Sequence, residues 1–163
     1  FGDRVEWWRD CCRRPTEHEG IDFAEGFRPG AGICPIPDGT PVPAIACGEV
    51  VAILDDFLAK SVVIRHHGMK SPYGEVFHTL LSHIRPEIGV RDAVEACRTV
   101  GSVSGTAGAG APPHLHMTGV WIPEKFDLNC LTMDSIHPAF EPFLLSDFTA
   151  QISLNPVCSG ASD

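Results

Sequence analysis

Gly39-Thr40-Pro41-Val42-Pro43-Ala44-Ile45-Ala46-Cys47-Gly48-Glu49-Val50-Val51-Ala52-Ile53-Leu54 reads as two short β-strands divided by a turn at Cys47-Gly48. Its β-branched residues favour extended chain. The two prolines lack an N–H for a ladder, which confines the first strand to a sheet edge. Toward the C-terminus the pattern recurs. Ser61-Val62-Val63-Ile64-Arg65 is a third strand, and residues 75–84 form a fourth, longer one that carries His83 near its end. Residues 89–97 and 100–105 are further short strands with tight turns, and the glycine-rich stretch 105–111 is a flexible lead-in to a strand continuing over 117–121. Sixteen glycines and fourteen prolines spread along the chain favour β structure over a helical bundle.

Toward the N-terminus, residues 26–39 are rich in Gly and Pro and read as a loop. Residues 1–17 are polar, with Trp7-Trp8 and a basic pair at Arg13-Arg14. The tryptophans are expected to pack over the domain edge, with a place along a substrate groove as the alternative. Asp55-Asp56 reads as a solvated turn, His66-His67 as an exposed strand end, and His137 has no partner by spacing. The tail from Pro123 onward looks irregular, with an apolar stretch over 140–145.

At 163 residues the chain is expected to form one domain with a real core. A formal charge of −9 argues against a nucleic-acid partner, because phosphate binding needs a basic footprint. No apolar run approaches the ~20 residues of a membrane-spanning helix. The opening Phe1-Gly2-Asp3-Arg4 is not a signal peptide, and a start on Phe suggests a trimmed or mature chain. The seven cysteines contain no CxxC pair and so give no support to a thiolate zinc site. Cys47 and Cys97 lie among apolar residues and read as buried small hydrophobes. Cys11, Cys12, Cys34, Cys130 and Cys158 are free to pair in an exported protein.

The chemistry-bearing residues are far apart in sequence. In Pro112-Pro113-His114-Leu115-His116-Met117, alternation puts His114 and His116 on one face of an extended chain. His18-Glu19-Gly20-Ile21-Asp22 adds a histidine and a carboxylate. On a straight strand these two lie ~13 Å apart in backbone. One metal can take both only if the chain bends, and Gly20 is where it can. His78 and His83, five residues apart on a strand, fall on opposite faces.

Taken in order, these pieces resemble the lysostaphin-type (LytM-like) zinc endopeptidases that cut bacterial peptidoglycan. The matching motifs are His18-x-x-x-Asp22, Gly39-Thr40-Pro41-Val42-Pro43-Ala44, Gly48-Glu49-Val50, Val62-Val63-Ile64-Arg65-His66, Leu81-Ser82-His83-Ile84 and Pro113-His114-Leu115-His116-Met117. They cover residues 17–121, leaving 1–16 and 122–163 as extensions of a single metallopeptidase domain. The departures are Pro112 for a glycine, Met117-Thr118 for Phe-Glu, Leu81 for an aromatic, and Cys97 for a turn glycine.

The resemblance implies an antiparallel sheet of barrel-sandwich type with few short helices. It implies Zn²⁺ held by His18, Asp22 and His116, with His83 and His114 flanking the reactive water and either able to act as base. It further implies a peptidoglycan peptide as substrate and an extracytoplasmic location. The alternatives are a catalytically silent wall-binding or regulatory domain of the same fold, and a lipoyl or phosphocarrier barrel. The last leaves the His18/Asp22 pair unexplained.

Overall fold

The computed structural model describes residues 2–8, 14, 17–105, 110–136 and 144–146. Its strands are β1 (Ile21–Phe23), β2 (Glu25–Arg28), β3 (Gly32–Pro35), β4 (Pro41–Pro43), β5 (Gly48–Asp55) and β6 (Lys60–Lys70). They continue with β7 (Glu75–Pro86), β8 (Ala93–Val94), β9 (Thr99–Val103), β10 (Leu115–Pro123) and β11 (Leu144–Ser146). All pairings are antiparallel. The main sheet runs β1-β10-β7-β6-β5-β8, with β11 on β10 and β9 linking β4 to β7. The helical elements among the described residues are two 3-10 turns, Leu128–Cys130 and Met133–Ser135. The fold is therefore mainly β, as the glycine and proline punctuation indicates.

Among the described residues β4 pairs with β9 alone, which accommodates Pro41 and Pro43 at an edge. β7 lies between β6 and β10, and its residues 76–84 are all buried, so both faces of this strand meet packed protein. Phe77, Leu81 and Ile84 enter one core with Val50, Val62 and Ile64, while Leu80 enters a second with Val63, Val120 and Ile122. Each fully buried aliphatic or aromatic side chain contributes roughly 1.5–3 kcal/mol, so this strand anchors the sheet that carries the site.

Several sequence expectations need correction. Residues 26–39 are not simply a loop: β2 and β3 form a hairpin, with Phe27 paired to Ile33 across it. His66 is buried, not exposed, because Val62, Ile64 and His66 share a face of β6. Its ring stacks on Phe77 and reaches the Cys47 carbonyl at 3.0 Å and Thr79 Oγ1 at 2.9 Å. His67 is exposed, as expected. Neither cysteine read as a buried hydrophobe behaves as one: Cys47 is an exposed free thiol and Cys97 is disulfide-bonded. Cys97 has φ +70°, the left-handed conformation that explains a glycine as the usual occupant of this turn. Cys34 and Cys130 are free. Cys11, Cys12, Cys158 and His137 lie outside the described residues, as does most of the apolar stretch over 140–145.

Candidate metal centre and active site

The β1–β10 pairing sets Asp22 opposite His116. The chain bends at Gly20, which brings His18 over the same spot. Gly20 is required there for a second reason: a Cβ would collide with the Met117 carbonyl oxygen and lie 2.7 Å from His116 Nε2. His18 Nε2 is 2.9 Å from His116 Nδ1 and 3.2 Å from Asp22 Oδ1, and His116 Nδ1 is 2.8 Å from Asp22 Oδ1. Ligand atoms of all three residues lie within 4.8 Å of one another.

This donor set fits zinc. A tetrahedral ion with ligands at ~2.0–2.2 Å spaces its donors about 3.4 Å apart, so the three atoms need open by only a few tenths of an ångström. The opposite nitrogen of His116, Nε2, is 3.0 Å from Thr118 Oγ1 and 3.5 Å from Glu19 Oε1. Partners on that side orient Nδ1 toward the ion position. Asp22 Oδ2 accepts from the Trp7 indole N–H at 2.7 Å and from Arg14 Nη2 at 3.1 Å, which leaves Oδ1 to face the histidines. Burial alone would raise the Asp22 carboxyl, but hydrogen bonds from His116 and His18 outweigh it and hold the group well below the usual carboxylate range.

Two more imidazoles border the same recess. His114 is buried, with Nδ1 2.8 Å from the Pro112 carbonyl, so that nitrogen carries the proton and Nε2 is left toward Asp22 Oδ1, 3.8 Å away. Burial pushes its pKa down. His83 and His114 have ring centroids 4.9 Å apart, and His83 and His116 5.7 Å. His83 reaches the recess by breaking strand alternation. Between the pairs Lys60–Ile84 and Val62–Leu81, two residues of β7 oppose one of β6. This bulge, with φ +63° at His83, lets both Ser82 and His83 line the recess. The strict two-residue period behind the opposite-face expectation does not hold through this point. His78 stays outside the recess, its Nδ1 2.9 Å from the Val76 carbonyl.

Two features, Asp56 and Arg14, escaped the sequence reading, and for Trp8 the alternative reading, a place along a groove, fits the structure better than edge packing. Asp56 is not a solvated turn residue: its side chain is 1% exposed and bonds His83. The Asp-x-x-Ala spacing at a strand end signals only the local half of this role, an aspartate that caps backbone N–H groups of its own turn. The tryptophans do more than pack on an edge, for Trp8 lines the recess and stacks on His114 at 5.8 Å. Arg14, read only as half of a basic pair, sits 5.2 Å over the Trp8 ring. No local pattern gave its link to Asp22.

No protein-family model matches the sequence, and no curated protein does. Among solved structures, the catalytic domain of the antimicrobial peptidase lysostaphin from Staphylococcus simulans superposes with a TM-score of 0.53 at 19% identity, over 85% of this chain and 80% of that one. The chain has the lysostaphin-type fold. A zinc containing peptidase from Vibrio cholerae shares this lysostaphin-type fold with a TM-score of 0.53 at 19% identity, over 74% of this chain and 32% of that one. A Pseudomonas aeruginosa protein assigned to the M23 peptidases aligns at 28% identity and a TM-score of 0.47. The alignment spans 64% of this chain and only 38% of that protein. The fold read from ordered motifs is the fold found in space.

Proposed function

We propose that this protein is a zinc-dependent endopeptidase that hydrolyses peptide bonds in peptidoglycan stem peptides or cross-bridges. The observation that carries the reading is the convergence of His18, Asp22 and His116 on one point, with His83 and His114 beside it in the same recess. When bound there, zinc would supply Lewis-acid chemistry toward the scissile carbonyl and the attacking water.

The chain's own residues do the rest. His18 Nε2, His116 Nδ1 and Asp22 Oδ1 hold the ion, and Trp7 and Arg14 fix the rotamer of Asp22 through its other oxygen. An imidazole Nε2, of His83 or His114, takes the proton of the attacking water as the C–O bond forms. It returns that proton to the leaving nitrogen as the C–N bond breaks. The second imidazole hydrogen-bonds the developing oxyanion. Trp8, Phe57 and Met133 border the recess and supply apolar walls for the peptide on either side of the cut bond.

The substrate class follows from the resemblance to lysostaphin-type enzymes and not from the recess itself. An extracytoplasmic location rests on the same ground, and the disulfide at Cys97 fits an oxidising compartment.

The test is digestion of purified peptidoglycan by the zinc-loaded protein with and without chelator, reading released fragments by mass spectrometry. Chelator-sensitive release of peptide fragments is expected. Cleavage that survives chelation overturns the metal role. Absence of cleavage, with the protein co-sedimenting with peptidoglycan, marks a wall-binding domain instead.

A further inference from the structure

The turn between β5 and β6 carries an aspartate used more heavily than a turn requires. Asp56 Oδ1 accepts from Leu58 N–H at 2.8 Å and Ala59 N–H at 2.7 Å, and Oδ2 lies 3.0 Å from Ser61 Oγ. Those three partners already satisfy a carboxylate that closes its own turn. Two further bonds leave the turn. Oδ2 accepts the His83 backbone N–H at 2.9 Å, and Oδ1 faces His83 Nδ1 at 3.2 Å. The two segments are 27 residues apart in sequence, so this grip is tertiary and not a by-product of local geometry.

His83 needs such a grip. It occupies the left-handed region in a bulge, a conformation that costs an L-residue about 1–2 kcal/mol. Asp56 bonds both the backbone that adopts it and the ring that results. Phe57, the next residue, sets its ring edge-on to the His83 imidazole at 5.0 Å. A carboxylate only accepts hydrogen bonds, so the proton of a neutral His83 must sit on Nδ1. Nε2, on the other side of the ring, then carries the lone pair. His114 reaches the same tautomer through a neutral carbonyl, that of Pro112. Of the two imidazoles outside the ligand set, His83 has a buried carboxylate within hydrogen-bond reach, whereas the Asp22 oxygen facing His114 Nε2 stands 3.8 Å away.

We infer that Asp56 is a positioning residue that fixes the tautomer and placement of His83, so that Nε2 is the nitrogen presented to the reacting group. The inference rests on the proposed hydrolase reading only for its kinetic consequence. When His83 Nε2 receives a proton, Asp56 remains a carboxylate and no proton passes to it. Among the described residues no hydrogen bond or ion pair joins Asp56 to His18, Asp22 or His116, so zinc content is expected to be independent of it.

The experiment is long-range proton–nitrogen NMR of the histidine rings in the whole protein, with zinc stoichiometry and steady-state cleavage on the same samples. In the unsubstituted protein His83 should carry its proton on Nδ1. Finding it on Nε2 overturns the inference without any variant. In Asp56→Asn, which keeps shape, the Nδ1–H form should lose its dominance. Zinc content should stay at one ion per chain, and kcat should fall about a hundredfold or more with KM changed less than threefold.

An unchanged tautomer in Asp56→Asn, or a loss carried by KM alone, overturns it. Asp56→Glu, which restores the charge but not the reach, should recover the tautomer in part. If the unsubstituted protein cleaves nothing, the hydrolase reading fails while the tautomer result still decides the role of Asp56.

Discussion

Asp22 Oδ1 and His116 Nδ1 lie 2.8 Å apart although 94 residues separate them, because β1 and β10 pair with these two residues in register. The candidate metal position therefore depends on a strand pairing and not on a local loop. Asp22→Ala or His116→Ala should abolish stoichiometric zinc and with it all cleavage. His83→Ala should keep one zinc per chain, by atomic absorption, while kcat falls ~10²–10⁴-fold. Zinc lost from His83→Ala would show that the roles of the histidines are divided wrongly.

Trp7 reaches the same carboxylate from the far side, donating its indole N–H to Asp22 Oδ2 at 2.7 Å. Trp7→Phe keeps the aromatic edge and removes only the donor. Zinc affinity should weaken by roughly 10-fold, the lower end for loss of an outer partner of a metal ligand. Competition against a fluorescent chelator measures this. An unchanged affinity would leave Trp7 as surface packing.

Gly20 supplies a stability test. A Cβ there meets the Met117 carbonyl and His116 Nε2, whereas at Gly26 the nearest atom is Ile36 Cγ1 at 3.9 Å. Gly20→Ala should cost about 1–3 kcal/mol by overpacking and also lower zinc occupancy. Gly26→Ala serves as the control, with little effect on either. Urea unfolding of the two variants, with and without zinc, separates the effects.

Acid should destabilise the fold before its carboxylates titrate. Burial pushes His78 down from 6.5 to about 4, opposed by its bond to the Val76 carbonyl and helped by the nearby Arg65 charge. His66 shifts the same way, again through burial. Between those values the unfolded chain binds a proton that folded His78 refuses, so stability rises with pH across this window. It is fully present above pH ~6.5 and declines toward pH ~4, by at most roughly 3 kcal/mol for His78. Asp22 and Asp56, both held below the usual carboxylate range, act at lower pH. His78→Gln should flatten the slope of unfolding free energy between pH 7 and 4.5. A slope equal to that of the unsubstituted protein would assign the acid sensitivity to other groups.

What the sequence made legible was whatever depended on spacing within one strand or on motif order. The two-residue alternation of His114 and His116, the bend at Gly20 and the edge prolines of β4 all follow from local rules. His66 was legible too, since Val62, Ile64 and His66 continue one alternation, but the neighbouring His67 obscured it. The β2–β3 hairpin was hidden by its glycines and prolines, although Pro29-Gly30 between Phe27 and Ile33 is itself a turn signal. Asp56 and Arg14 were not legible as site residues. Their partners, His83 and Asp22, are brought to them by sheet pairing and by the path of the N-terminal segment, which no short window contains.

The bulge opposite Ser61 places the site under a rule about chain length. Removing one residue from β7 between Leu81 and Ile84 would restore an unbroken ladder with β6, which a sheet should tolerate well. Only one residue would then stand on the recess face between Leu81 and Ile84, so the site would lose either Ser82 or His83 itself. Insertions and deletions harmless to folding would thus be selectively lethal to the recess at this one place. Descendants of this chain that kept their activity should vary freely in the lengths of their surface turns while the count of residues along β7 stays fixed.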